Sequence, residues 1–197
     1  MRTEYITPEL MYRLLGDMTE QNRLVLRFCL ETGIRVGDAV AMPFSALEGT
    51  TVRYTAQKTN KNGVARISPE LMADLLRNTD GVWLFPSAKS ESGHLTRQSV
   101  WKALKRSSKR AEVARNVAPH STRKIFAVQD MRKHGLAQAQ KDLQHSRFDT
   151  TLLYCLSDTS FLDNTEKVNK RIDGLYDILE VIEERLRKLC VHLCMEL

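Results

Sequence analysis

Arg35, Lys58, His120, Arg123, His145 and Tyr154 are the side chains whose types could together handle a phosphate-like anion. Arg35 and Arg123 each offer a planar guanidinium fork that matches two oxygens of a phosphate. His120 and Arg123 stand three apart and share a face if their segment is helical. Pro119 just before them marks a helix start, where backbone N–H groups and the helix dipole favour an anion. Tyr154 is a potential nucleophile, but with a reference pKa near ~10 its hydroxyl must lose a proton as it attacks, which calls for a neighbouring base. Displacement at a phosphodiester builds charge on the non-bridging oxygens, and metal ions or guanidinium groups must answer it. The sequence shows no carboxylate cluster of the kind that holds Mg²⁺, so the two arginines are the candidates. Taken singly, each residue has an ordinary explanation: an Arg at a helix end is usually a surface residue, a Lys at a hairpin tip is usually solvated, and a Tyr on a helix is usually half-buried packing.

Positioning these groups requires a framework, and the chain signals one clearly. Thr7-Pro8-Glu9 reads as an N-cap with proline at the first helical position, opening a helix to about Leu15. A second helix over Gln21–Glu31 stops at Thr32-Gly33, with Arg35 at the junction, and a short turn of chain runs from Val36 to Met42 before Pro43. β-branched and aromatic residues over Thr51–Gln57, turn chemistry over Asn60–Gly63 and a return over Val64–Ile67 predict a β-hairpin with Lys58 at its tip. Ser68-Pro69-Glu70 restarts helix, and Val82–Phe85 reads as a short third strand. Thr96 caps a long basic helix to about Val113; Pro119 precedes a helix ending at Gly135; a short helix reaches Leu143; and Asp149 caps another carrying Tyr154. The expected fold is mainly α with a small antiparallel β-sheet, an α+β domain over residues 1–158, followed by a C-terminal helix over 159–197. Trp83 and Trp101 are both expected in the core, since each lies in an apolar or amphipathic element.

Charge is distributed unevenly. The chain's formal +6 and pI near 9.2 come from residues 95–133, which carry eleven basic residues against Glu112 and Asp130, while the residues after Cys155 are net acidic. Within the basic helix Lys102, Lys105, Arg106, Lys109 and Arg110 lie on one broad face and are the candidate contacts to a polyanion; the alternative is a solvated surface. The cysteines Cys29, Cys155, Cys190 and Cys194 are too sparse for a disulfide framework, and a reduced cytosol fits them. Cys190, His192 and Cys194 have no second ligand pair near them and are read as ordinary helix residues, so no metal or cofactor is expected. The chain shows neither a secretory start nor a membrane-length apolar run, which predicts a protein that is neither secreted nor membrane-spanning.

In order and spacing these residues resemble the signature of the tyrosine recombinase family, the phage integrases. Thr32-Gly33-Ile34-Arg35-Val36-Gly37-Asp38 is similar to that family's first arginine motif, and Gln57-Lys58-Thr59-Asn60-Lys61 to its hairpin lysine. His120-Ser121-Thr122-Arg123 resembles its H-x-x-R box, Leu143-Gln144-His145-Ser146 its L-G-H-S box, and Tyr154 falls nine residues after His145, as the nucleophile does in the family. The resemblance runs from about Thr7 to Ser157. It implies a site-specific recombinase that breaks and rejoins duplex DNA through a 3′-phosphotyrosyl link on Tyr154. In that chemistry Arg35 and Arg123 grip the phosphate, His120 acts as base, His145 donates to the phosphate, and Lys58 protonates the departing 5′ oxygen. Because one phosphoester replaces another, rejoining needs no ATP and no cofactor. Two rivals stay open: a relaxing topoisomerase of type IB chemistry, and a catalytically idle DNA-binding regulator of the same fold.

Two positions depart from the family pattern. Met42 stands where leucine is common, and Gln144 where the family has glycine, which permits backbone angles that glutamine does not. An N-terminal clamp domain found in many members does not precede the motifs, so the chain is expected to be an excised fragment or a naturally short member. In the tail, Val168, Ile172, Leu175, Leu179, Ile182, Leu186, Leu189 and Leu193 form a heptad seam. A helix folded on its own core, whose stripe Ile178 and Val181 would widen, and a helix packed on another protomer both fit. The family works as tetramers on DNA and commonly passes a C-terminal helix to a neighbour, which implies self-association as dimer and tetramer. Double-stranded DNA is the expected partner, with no membrane, and the expected location is the cytoplasm of a bacterial or phage system, at the nucleoid.

Overall fold

The computed structural model describes residues 3–144. His145, Tyr154, the downstream cysteines and the heptad tail lie outside the described residues. Helices α1 (Pro8–Gly16) and α2 (Glu20–Thr32) come first, followed by the short α3 (Val36–Val40). A three-stranded antiparallel sheet of β1 (Leu47–Glu48), β2 (Thr51–Ala56) and β3 (Lys61–Arg66) comes next, and then α4 (Pro69–Asn78), α5 (Arg97–Arg110), α6 (His120–His134) and α7 (Leu136–Asp142). The mainly helical architecture with a small antiparallel sheet is as expected.

Local chemistry explains the boundaries. Thr7, Ser68 and Thr96 each accept a backbone N–H from three residues ahead, at 3.3, 3.2 and 3.1 Å, and so cap α1, α4 and α5. Helix α2 is the centre of the core, with Leu24, Val25, Leu26, Phe28, Cys29 and Leu30 buried, and Phe28 meets Phe85 edge-on at 5.5 Å between ring centroids. The Cys29 thiol is pushed up to about 12 by burial, so it stays protonated and behaves as a small apolar side chain. β2 alternates as a half-buried strand should, with Val52 and Ala56 turned into the core and Arg53 and Thr55 to solvent. Its register with β3 runs from Thr51↔Arg66 to Ala56↔Lys61, leaving Gln57, Lys58, Thr59 and Asn60 as the turn.

The third strand is not where the sequence placed it. Val82–Phe85 forms only an isolated bridge, Pro43↔Trp83, while β1 completes the sheet by pairing with β2. Asp80 explains the difference: its carboxylate takes the N–H groups of Val82 and Trp83 at 2.9 and 2.7 Å, and Pro43 opposite has no N–H to give. Helix α5 also ends earlier than expected, at Arg110, where Glu112 adopts a left-handed φ of 51°. Neither tryptophan is in the core as expected: Trp101 is 46% exposed because it lies off the α5 face of Val100 and Leu104, and Trp83 is only half-buried.

Candidate active site

Four of the residues singled out by type are brought together from three separate elements: the start of α3, the β2–β3 turn and the first turn of α6. Arg35, Lys58, His120 and Arg123 line one pocket of about 830 Å³, with Asp38, Gln57, Arg97, Gln98 and Trp101 among its other walls. Each is placed by a local device. Gly33 ends α2 in the left-handed region at φ 66° and turns the chain so that Arg35 stands at the N-cap of α3. A β-carbon on Gly33 would lie 2.5 Å from the Phe126 ring of α6, so the two helices meet only because that residue is glycine. The hairpin is tied to α3 at its root, where Gln57 N–H donates to Asp38 Oδ1 at 3.2 Å, and this holds the Lys58 turn beside Arg35.

His120 and Arg123 share a face of the first turn of α6, as their spacing predicts. That turn is anchored by the N-terminal segment: Ser121 Oγ donates to the Glu4 carbonyl at 2.8 Å, and Lys124 Nζ donates to the Thr3 carbonyl at 2.6 Å. Arg123 is only 3% exposed. Its guanidinium donates through Nη1 to the Gly33 carbonyl and through Nη2 to the Leu143 carbonyl, so it joins the end of α2 to the chain that leads to His145. His120 is exposed as a residue, but desolvation of its imidazole against the pocket walls, and then the positive charges of Arg123, Lys124, Arg35 and Lys58, push it down to about 4. It is therefore neutral at physiological pH and able to accept a proton.

Gln144 adopts the backbone that the family's glycine would take, with φ 51°. Its amide compensates in part: Nε2 donates to the Tyr54 hydroxyl at 3.4 Å and to the Asn62 carbonyl at 3.3 Å, linking the end of α7 to the sheet. Burial raises the Tyr54 hydroxyl above its ordinary pKa, consistent with a structural tyrosine.

The basic run divides rather than forming one face. Lys105 donates to Asn116 Oδ1 at 2.5 Å with its ammonium 5.9 Å from the centre of the Trp101 ring, Arg110 pairs with Asp17 at 2.5 Å, and Arg115 donates to the Tyr5 carbonyl at 3.0 Å. Together with the buried Arg123 and Lys124, these cations serve the protein's own packing. Lys102, Arg106 and Lys109 remain exposed along α5. The α5 residues that reach the pocket are Arg97, Gln98 and Trp101, which sequence reasoning missed. The one available signal was the four-residue step from Arg97 to Trp101, which stacks them on one face immediately after the Thr96 cap.

The architecture is helix-rich with a small sheet, and its pocket is walled by three arginines, a lysine and a neutral histidine, a lining with the charge to suit an anion. The chain belongs to the phage integrase family, whose model matches residues 4–160. Among curated relatives it is 26% identical over 168 residues to the integrase of Escherichia phage P2, covering 85% of this chain and 47% of that protein. It is 32% identical over 154 residues to tyrosine recombinase XerD of Brucella suis, covering 71% of this chain and 50% of that protein. The chain thus spans about half the length of the curated relatives it matches. Among solved structures, the catalytic domain of bacteriophage HP1 integrase superposes with a TM-score of 0.61 at 24% identity, over 85% of this chain and 96% of that one. XerA recombinase superposes with a TM-score of 0.71 at 20% identity, over 86% of this chain and 66% of that one. The fold is that of a tyrosine recombinase catalytic domain.

Among the described residues, no helix is long and apolar enough to cross a membrane.

Proposed function

We propose that this chain is the DNA-cleaving and rejoining domain of a site-specific recombinase. The observation that carries the reading is the convergence of Arg35, Lys58, His120 and Arg123, from three separate elements, on one pocket. Membership of the phage integrase family supports it, as do similar folds seen at work: a lambda integrase dimer bound to a COC′ core site and a lambda integrase tetramer bound to a Holliday junction.

In the proposed reaction a scissile phosphate enters the pocket between Arg35 and Arg123. The Tyr154 oxygen attacks phosphorus while its proton passes to His120, the P–O5′ bond breaks, and Lys58 delivers a proton to the leaving oxygen. A 3′-phosphotyrosyl bond and a free 5′-OH result, and the reverse attack by a 5′-OH restores the diester without an external energy source. Arg123 lines the pocket, held in place by its two carbonyl bonds, and Arg35, less buried, supplies the more open guanidinium. The phosphate's negative charge opposes the cations that depress His120, so substrate binding itself raises the basicity of the group that must take the proton. His145 is assigned as a further donor to the phosphate.

Lys102, Arg106 and Lys109 are assigned to phosphates flanking the cut, while Lys105 and Arg110 of the same helix set would have to leave their partners to join them. Residues 1–158 form the catalytic domain in this reading, and 159–197 a helix that joins protomers as dimer and tetramer. The direct test is a nicked suicide duplex drawn from the native genomic neighbourhood. Wild-type protein should form a denaturation-resistant adduct and Tyr154→Phe none, with DNA affinity unchanged. An adduct of equal yield in the mutant would place the nucleophile elsewhere.

A further inference from the structure

Away from the pocket, where α6 meets α7, Asp130, His134 and Asp142 bring an imidazole nitrogen and two carboxylate oxygens within 4.8 Å of one another. Asp130 is 7% exposed, and its Oδ1 is 2.7 Å from His134 Nδ1. Its Oδ2 is buried without a hydrogen-bond partner among the described residues. A buried carboxylate oxygen with nothing to accept from is costly, and a second carboxylate brought beside it adds repulsion. The arrangement is therefore short of positive charge at one point. Gln138 Nε2 donates to Asp142 Oδ1 at 2.9 Å and so orients that carboxylate, as outer-shell donors do around metal ligands.

We propose that Asp130, His134 and Asp142 bind a divalent transition-metal cation that pins α7 to α6. One imidazole with two carboxylates is a hard-to-borderline donor set, suited to Mn²⁺ or Zn²⁺. Gly135 makes the site possible: its φ of 84° lets the chain reverse between the helices and bring the end of α7 back beside the end of α6. The cation would hold α7 one residue before Leu143, whose carbonyl Arg123 grips, so its presence would steady the segment leading to His145. The inference does not depend on the recombinase reading, since what it predicts is binding of a metal.

Mn²⁺ is the probe of choice, because Cys190 and Cys194 elsewhere in the chain would compete for a thiophilic ion. Titration of the full chain, followed by loss of the free-ion electron paramagnetic resonance signal, should show one site, accompanied by a rise in melting temperature. His134 and Asp142 are exposed, so His134→Ala and Asp142→Asn should fold normally and weaken Mn²⁺ binding at least ten-fold. Both should also abolish the metal-induced rise in melting temperature. No binding at millimolar Mn²⁺ would overturn the proposal and leave a shared proton as the bridge between the carboxylates. Binding that both variants retain at full affinity would overturn it equally, by placing the ion elsewhere.

Discussion

The neutral state of His120 has a consequence that can be measured without DNA. In the unfolded chain this imidazole titrates near ~6.5, whereas in the pocket it holds no proton until about 4. As pH falls from 7 to 5 the unfolded state binds a proton that the folded state refuses, so folding loses stability across that window and keeps it fully above ~6.5. At full strength the loss between pH 7 and 5 is about 2 kcal/mol. The His120 residue is open to solvent on one side, and screening brings the figure down to about 1 kcal/mol. Urea unfolding of wild type and His120→Gln at both pH values isolates the effect, because glutamine cannot charge. The mutant should gain about 1 kcal/mol on wild type between pH 7 and 5. Nitrogen-correlated NMR should show the ring neutral at pH 5, and a bound duplex should move its midpoint toward neutrality. A stability gap identical at the two pH values, or a ring that titrates near ~6.5 in the free protein, would refute the electrostatic account of this pocket.

Three other perturbations probe separate features. Gly33→Ala combines a disfavoured φ with a clash against Phe126 and should cost about 3 kcal/mol in denaturant unfolding; a loss below about 1 kcal/mol would mean that the two helices can separate cheaply there. Neutralising Lys102 and Lys109 should reduce the slope of log K against log salt by about 0.9 for each phosphate no longer neutralised, equally for all DNA sequences, and an unchanged slope would leave α5 a solvated face. Deleting residues 165–197 should leave a folded domain that no longer self-associates in sedimentation; a full-length chain that stays monomeric on its DNA site would assign the heptad seam to its own core.

Much of this was legible in the sequence because it was local. Thr7-Pro8, Ser68-Pro69 and Thr96 announced three helix starts by side-chain chemistry confined to one turn, and Gly33 and Gly135 announced two ends. The hairpin was legible from alternation, and the convergence of Arg35, Lys58, His120 and Arg123 from their order. Most of what escaped depended on partners distant in the chain. Val82–Phe85 has the composition of a strand, yet Asp80 captures its amides and Pro43 faces it. The charge run read as one surface because nothing local says that Arg123 will seek the Gly33 carbonyl or Arg110 the Asp17 carboxylate. Trp101 looked like core because its helix is amphipathic, but which flank meets the pocket is decided by α3 and the hairpin. The Asp130, His134 and Asp142 cluster was hidden for the same reason: Asp142 joins the other two only after the chain reverses at Gly135.

In the proposed reaction Arg123 answers to two demands at once, and this changes how its variants are to be interpreted. A residue used only for transition-state charge can be removed to yield a folded, inactive enzyme, and its loss of rate measures its share of catalysis. Removing Arg123 also strips two buried carbonyls of their donor and frees the segment before His145, so a loss of rate would mix chemistry with disorganisation. Lysine keeps the charge but, lacking the fork, can reach only one of the two carbonyls at a time. A screen for defective strand exchange would therefore return this position for either reason, whereas Arg35, half-buried at a helix start, would return for its chemistry alone.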